Sequence, residues 1–254
     1  MHTAGYRALG LPWVYMPFSM TSERLAGALT GMRALGIRGL GVSMPFKLEV
    51  IPLLDRQSDL VRQIGACNTI VNDDGVLHGH NTDADGAARA LEEVVGALTG
   101  ARCLVLGAGG AARAVVFGLA ARGARVSVAN RSASKAVSLA QAAGATAVDF
   151  ESATTSPGPF DVVVNATSGG MDQGEHSARL PLDPGAIPPG AVVMDIVYKP
   201  IETALLAAAR ARGARVIHGG RMLLHQAARQ LELYTGVDAP LSAMDDALTA
   251  AMLP

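Results

Sequence analysis

Lys47 stands out because this chain scarcely uses lysine: 18 of its 21 basic residues are arginine, and only Lys47, Lys135 and Lys199 are not. An ammonium gives up and regains a proton, which a guanidinium effectively cannot. Lys47 ends the run Gly41–Val42–Ser43–Met44–Pro45–Phe46–Lys47, directly after an apolar stretch, and Asp83 closes a similar one at Asn81–Thr82–Asp83. Residues at strand ends face the cleft where α/β sheets bind ligands, so a lysine there, matched by the Asp83 segment, reads as chemical.

A second group of residues reads as a seat for phosphate. Gly107–Ala108–Gly109–Gly110–Ala111–Ala112 follows a buried apolar run and opens a helical one. Gly107 permits a tight turn, Gly109 lets the backbone approach a pyrophosphate, and the small Ala112 allows close helix–strand packing. About 20 residues after such a turn, NAD enzymes usually present Asp or Glu to the ribose. Here the next strand ends in Asn130–Arg131–Ser132, with Lys135 one turn on. Arg131 can fork onto a 2′-phosphate while Asn130 and Ser132 donate neutral hydrogen bonds, so NADP is expected over NAD.

The elements that position these residues follow from periodicity. Residues 22–35 predict an amphipathic helix with Ser22 as N-cap, Leu25, Leu29 and Met32 inward, and Gly36 as its stop. A strand over 37–42, helical stretches over 48–64, a strand over 69–71 and a hairpin turn at Asp73–Asp74–Gly75 complete a first α/β region. A helix over 84–98 leads to strands at 103–106, 125–129, 161–165, 191–195 and 215–217, separated by helices at 111–122, 134–143 and 201–212. That alternation predicts a Rossmann-type, doubly wound parallel sheet beside a smaller α/β domain. The expected division is a substrate-binding catalytic domain over 1–84, completed by helices over 221–254, and a nucleotide-binding domain over 99–217. The densest loop is expected at Thr154–Pro159.

Composition excludes several classes. Half the residues are hydrophobic and 17% are charged, too apolar for a disordered chain. A net charge of −1 without a basic block gives no support for a nucleic-acid partner. No segment has the uncharged apolar length of a membrane helix and no signal core opens the chain, so the cytoplasm is expected. Cys67 and Cys103 read as buried thiols. The histidines (His2, His78, His80, His176, His218 and His225) show no ligand spacing, so no metal is expected.

Read together, these motifs resemble the shikimate dehydrogenase family. The resemblance rests on Gly36–Ile37–Arg38–Gly39, Ser43–x–Pro45–x–Lys47, Ala66–Cys67–Asn68–Thr69 and Asn81–Thr82–Asp83 in the first region. It continues through Gly107–Arg113, Asn130–Arg131–Ser132, Asn165–Ala166–Thr167, Asp195–x–x–Tyr198–x–Pro200 and Met222–Leu223–Leu224–x–Gln226. It implies NADPH-dependent reduction of 3-dehydroshikimate to shikimate, with Lys47 and Asp83 as the catalytic pair. By the same resemblance Ser43, Asn68, Tyr198 and Gln226 hold a cyclic hydroxy acid. Gly107, Ala108, Gly109, Gly110, Ala111, Asn130, Arg131, Ser132, Lys135, Thr167, Val197, Gly219 and Met222 surround the cofactor. A monomer or homodimer is expected.

The chain departs from that family at three points. The family's opening strand and its two carboxylate-binding serines have no counterpart before the first helical stretch. Gly41 replaces an asparagine, and Phe46 replaces the histidine beside the lysine. Ser43–Met44–Pro45–Phe46–Lys47 resembles the shikimate dehydrogenase-like subgroup, so quinate or an aminoshikimate is an alternative substrate. A non-catalytic ligand-binding module is a second reading, disfavoured by the Lys47–Asp83 pair. A dehydrogenase acting on folate carbons is a remote third.

Overall fold

Two hydrophobic periods, two residues in the strands and 3.6 in the helices, divide the chain into alternating short elements. The computed structural model describes residues 1–156, 158–167 and 180–252. In chain order they are α1 (His2–Ala8), α2 (Leu25–Ala34), β1 (Gly39–Gly41), α3 (Phe46–Glu49), β2 (Arg56–Gln57), α4 (Asp59–Ile64), β3 (Thr69–Asp73), β4 (Val76–His80) and α5 (Asp83–Val95). There follow β5 (Arg102–Leu106), α6 (Gly110–Ala121), β6 (Arg125–Ala129), α7 (Ala133–Ala143), β7 (Thr146–Ala147), α8 (Phe150–Thr155), β8 (Val162–Asn165), β9 (Val192–Asp195), α9 (Ala204–Ala211), β10 (Arg215–His218), α10 (Gly219–Thr235) and α11 (Leu241–Met252). The chain forms two compact units: Met1–Thr82 with everything from Gln226 on, and Asp83–His225.

The first unit is built on a four-stranded sheet ordered β1-β3-β4-β2. β1 and β4 flank β3 antiparallel, and β2 joins β4 in parallel. Leu25, Leu29 and Met32 turn the apolar face of α2 onto Ile70 and Leu77 of the sheet, with Val50 and Val61 completing the core. Gly5 lets α1 lie close to Leu231 and Met244, since a Cβ there would stand 2.5 Å from the leucine.

The second unit is an all-parallel six-stranded sheet ordered β10-β9-β8-β5-β6-β7. Cys103–Leu106 of β5 are wholly buried, as expected of a strand covered on both faces. Leu104, Leu106, Val163 and Val193 meet Leu205, Leu206 and Ala209 of α9 on one side. On α6, Gly118 faces the Ala84 carbonyl of α5 so closely that a Cβ would stand 2.4 Å from its oxygen.

Several expectations are corrected. Ser22 caps no α-helix: it opens a 3-10 turn, Ser22–Arg24, and the residue preceding α2 is Arg24, neither supplying a side-chain cap. The stretch 48–64 is interrupted by β2, because Leu54 extends the backbone after the Ile51–Leu53 turn. The helix expected from 201 starts at Ala204, where the Thr203 hydroxyl accepts the Leu206 N–H at 3.3 Å. Thr154 and Thr155 close α8 instead of lying in a loop, as the Asp149 carboxylate caps that helix through the Ser152 N–H. Pro157 and His176 lie outside the described residues.

Candidate active site

In the first unit, the turn after β1 brings three of the expected residues onto one framework. The Ser43 carbonyl accepts the Phe46 N–H at 3.0 Å and starts α3, whose second residue is half-buried Lys47. The Lys47 carbonyl accepts the Cys67 N–H at 2.8 Å, and the Asn68 carbonyl accepts the Val42 N–H at 2.7 Å. These two bonds tie the lysine segment to the start of β3. Asn68 is 1% exposed, and its amide is oriented from inside. Its Oδ1 accepts the Thr82 N–H and the Thr69 hydroxyl, both at 2.8 Å, while its Nδ2 donates to the Thr82 hydroxyl at 3.1 Å. Buried polar groups so committed hold a single geometry.

Gln226 lies on α10, and one turn on the same face stands Gln230, which sequence reading passed over. Buried Gln230 donates to the Thr69 hydroxyl at 3.0 Å and the Asn68 carbonyl at 3.3 Å. Thr69, Thr82 and Gln230 are therefore the unforeseen members of this framework. The i, i+4 spacing of two glutamines on one helix was the signal that could have found Gln230.

In the second unit, strand register lines up the residues expected to face the nucleotide. Leu106 pairs with Ala129 and Asn165, and Asp195 pairs with Asn165 and His218, so β5, β6, β8, β9 and β10 end level. Gly107, Asn130, Thr167, Val197 and Gly219 all follow those ends, along the edge where open α/β sheets bind ligands. Gly107 has φ +118°, and a Cβ there would stand 2.8 Å from the Ala166 carbonyl oxygen. Gly109 is extended at φ −80°, ψ −175°, and a Cβ added to it meets no protein atom within 4 Å. No side chain caps α6, which leaves the N–H groups of its first turn facing that space.

At the end of β6, Asn130 Nδ2 donates to the Ser132 carbonyl at 3.1 Å and the Ser132 and Ser134 hydroxyls share a contact of 3.1 Å. Arg131 and Lys135 are exposed there. The fit to a 2′-phosphorylated dinucleotide is good: uncapped helix N-terminus, open space over Gly109, and cations with no carboxylate at the strand end. Gly219 approaches the sheet edge closely, its would-be Cβ 2.2 Å from the Ile196 carbonyl oxygen, while Met222 is buried and Tyr198 is half-exposed. Asp83, 7% exposed, opens α5.

A buried carboxylate organises this edge. Asp195 is 1% exposed and accepts from Asn165 Nδ2 at 3.0 Å, the Val197 N–H at 3.1 Å and the Thr203 hydroxyl at 2.8 Å. Burial raises its pKa, against the pull of those three donors. Asn165 Oδ1 in turn accepts the Thr167 hydroxyl at 2.7 Å. Cys103, by contrast, is unsuited to nucleophilic work, since burial pushes its thiol up to about 12. Among the described residues no cluster of His, Cys, Asp or Glu could hold a metal ion, and no helix is long and apolar enough to cross a membrane.

Comparison with known proteins agrees along the whole chain. The family pattern described as shikimate dehydrogenase substrate binding domain matches residues 1–70. Shikimate / quinate 5-dehydrogenase matches 89–172, and shikimate 5'-dehydrogenase C-terminal domain matches 219–249. A shikimate dehydrogenase (NADP(+)) of Moorella thermoacetica is 44% identical over 99% of this chain and 88% of its own length. The crystal structure of shikimate 5-dehydrogenase from Thermus thermophilus with NADP(H) and shikimate is 36% identical. It covers 98% of this chain and 92% of its own, with TM-score 0.88. The ligand-free 5-ketofructose reductase of a Gluconobacter species is 32% identical, over 98% and 92%, with TM-score 0.90. With matches of this extent in both units, the chain belongs to the shikimate dehydrogenase family and is an NADP-dependent oxidoreductase.

Proposed function

We propose that this chain interconverts 3-dehydroshikimate and shikimate, with Lys47 and Asp83 managing the proton. The observation that carries this reading is 44% identity, over 99% of the chain, to a protein named for that reaction. When bound, NADPH supplies the hydride to the carbonyl carbon. The Lys47 ammonium hydrogen-bonds the carbonyl oxygen, stabilises the negative charge developing there and delivers its proton to that oxygen. Asp83 is assigned to hold the lysine charged and oriented. Ser43, Asn68, Gln226 and Tyr198 are assigned to the substrate's hydroxyl and carboxyl groups.

The residues assigned to the cofactor are Gly107–Ala111 at its pyrophosphate, and Asn130, Arg131, Ser132 and Lys135 at its 2′-phosphate. Thr167, Val197, Gly219 and Met222 are assigned to the nicotinamide side. A cytoplasmic monomer or homodimer fits the reading. The occurrence of a 5-ketofructose reductase among close structural relatives favours a second substrate reading, since that name shows the fold reducing a different ketone. Phe46 and Gly41, which depart from the usual residues, would then set the choice.

The test is cofactor absorbance at saturating NADP or NAD with shikimate, quinate and amino-substituted analogues. Shikimate with NADP is expected to turn over fastest. Lys47→Ala should lose roughly 10²–10⁴-fold in kcat while binding NADPH as the parent does. Tight NADPH binding with no turnover of any of these acids would defeat the biosynthetic reading and favour a binding module.

A further inference from the structure

The start of α10 is held at two places within the second unit. At its first residue the Gly219 N–H donates to the Val197 carbonyl at 3.1 Å, and the Ile196 carbonyl leaves no room there for a side chain. That contact fixes where the helix begins but leaves its roll about its own axis open. The roll is set from α5. Arg221 forks onto Glu93, its Nε donating to Oε2 at 3.0 Å and its Nη2 to Oε1 at 2.6 Å. One turn on, Nε2 of buried His225 lies 2.9 Å from the same Oε1. Residues four apart share a helix face, so a single carboxylate grips that face at two levels. A planar fork on a planar carboxylate fixes orientation as well as distance.

Glu93 stands on a helix that is itself tied down on both sides. Arg122, at the end of α6, donates to Glu92 at 3.1 Å and to Asp85 at 3.3 Å. Arg215 of β10 donates to the Val94 carbonyl at 2.6 Å. Burial pushes the Glu93 carboxyl upward, but Arg221 and His225 outweigh it and hold the group below its ordinary range. Met222 follows Arg221 by one residue and is buried. A roll of about 10° would carry a side-chain tip about 5 Å from the helix axis through about 1 Å. A misplacement of that size can cost a hydride transfer roughly 10²-fold.

We propose that Glu93 is a positioning residue for hydride transfer: through Arg221 and His225 it sets the roll of α10, and so the placement of Met222 against the nicotinamide ring. The proposal rests on the assignment of Met222 to the nicotinamide side and not on which ketone is reduced.

Two variants test it. Glu93→Gln keeps the shape of the side chain and removes its charge, while Arg221→Lys keeps a charge and removes the fork. Parent and variants are titrated with NADPH, and the emission of the bound nicotinamide is recorded before any substrate is added. Dissociation constants should stay within about twofold of the parent's, because the phosphate contacts assigned above lie elsewhere. The bound emission should shift in both variants, and kcat for 3-dehydroshikimate reduction should fall roughly 10–100-fold. The isotope effect from NADPH deuterated at the transferred position should grow as hydride transfer becomes the slow step. The double variant should be no slower than the slower single one, since both break the same clasp. Bound NADPH that emits alike in parent and variants, with kcat unchanged, overturns the proposal. So does a loss of kcat matched by equal losses of NADPH affinity and melting temperature, which would leave Glu93 a purely structural role. The emission is read without substrate, so it decides the matter even for a parent that reduces some other ketone.

Discussion

Two glycines two residues apart in the turn after β5 should fail in opposite ways. At Gly107 the backbone sits at φ +118°, so any L side chain is strained by about 1–3 kcal/mol. The Cβ of Gly107→Ala also lands 2.8 Å from a backbone oxygen, which cannot swing away, adding about 1–3 kcal/mol of overpacking. The sum, about 2–6 kcal/mol, lowers the melting temperature by roughly 4–24 °C for a chain of this size. Gly109 is extended and faces open space, so Gly109→Ala loses at most about 1 kcal/mol as a poorer helix cap. Its methyl instead enters the space proposed for the pyrophosphate, and NADPH affinity should fall roughly tenfold or more, about 1.4 kcal/mol. Thermal melts with and without NADPH separate the two, because bound ligand raises the melting point by mass action. The reasoning is refuted if Gly107→Ala melts with the parent, or if Gly109→Ala keeps the full NADPH-induced rise.

Three further outcomes follow from the second unit. Arg131→Ala should raise the KM for NADP roughly 10–100-fold, the worth of a charge-assisted hydrogen bond, and leave that for NAD unchanged; equal losses would remove Arg131 from the 2′-phosphate. Asp195→Ala strands three buried donors and should cost about 3–5 kcal/mol in denaturant unfolding, whereas Asp195→Asn keeps an acceptor for Asn165 and Val197 and should cost far less. Because burial raises the Asp195 pKa, the folded chain keeps that proton to a higher pH than the unfolded chain does. Its stability contribution therefore falls as pH rises above about 3.9, a slope absent from Asp195→Asn. Asp161 behaves inversely: the Arg102 guanidinium, then the Arg102 N–H, hold it down at about 2. Asp161→Asn should melt below the parent at neutral pH, with the gap closing as pH falls through about 2; a constant gap would sink the assignment.

What sequence could disclose depended on how local each signal was. The turn Gly107–Ala112 was legible because strand, turn and helix are contiguous, and Leu25, Leu29 and Met32 because one helical period states their face. The two-residue strands β2 and β7 leave no period to read. Ser22 has the chemistry of a cap, but the backbone starts with a 3-10 turn and offers it no N–H. Gln230 and Thr69 meet across 161 positions, so only packing reveals the pair. Asp195 was visible as a motif, yet its Asn165 donor arrives only once β8 and β9 are in register.

The two units also differ in when synthesis can complete them. Asp83–His225 is one continuous stretch and can close while the ribosome is still working. The first unit cannot: Gly39 lies under the Tyr234 ring, a would-be Cβ standing 2.2 Å from it, and Arg38 bonds the Tyr234 carbonyl at 2.8 Å. From residue 82 to the end of α10 at Thr235 a further 153 residues must be made, a wait of roughly 8–30 s at about 5–20 residues per second. Throughout that interval the sheet carrying Ser43, Lys47 and Asn68 lacks the helix that closes it. Pulse proteolysis of ribosome-bound chains should find residues 1–82 cleavable until α10 has left the tunnel, while the six-stranded sheet is already resistant.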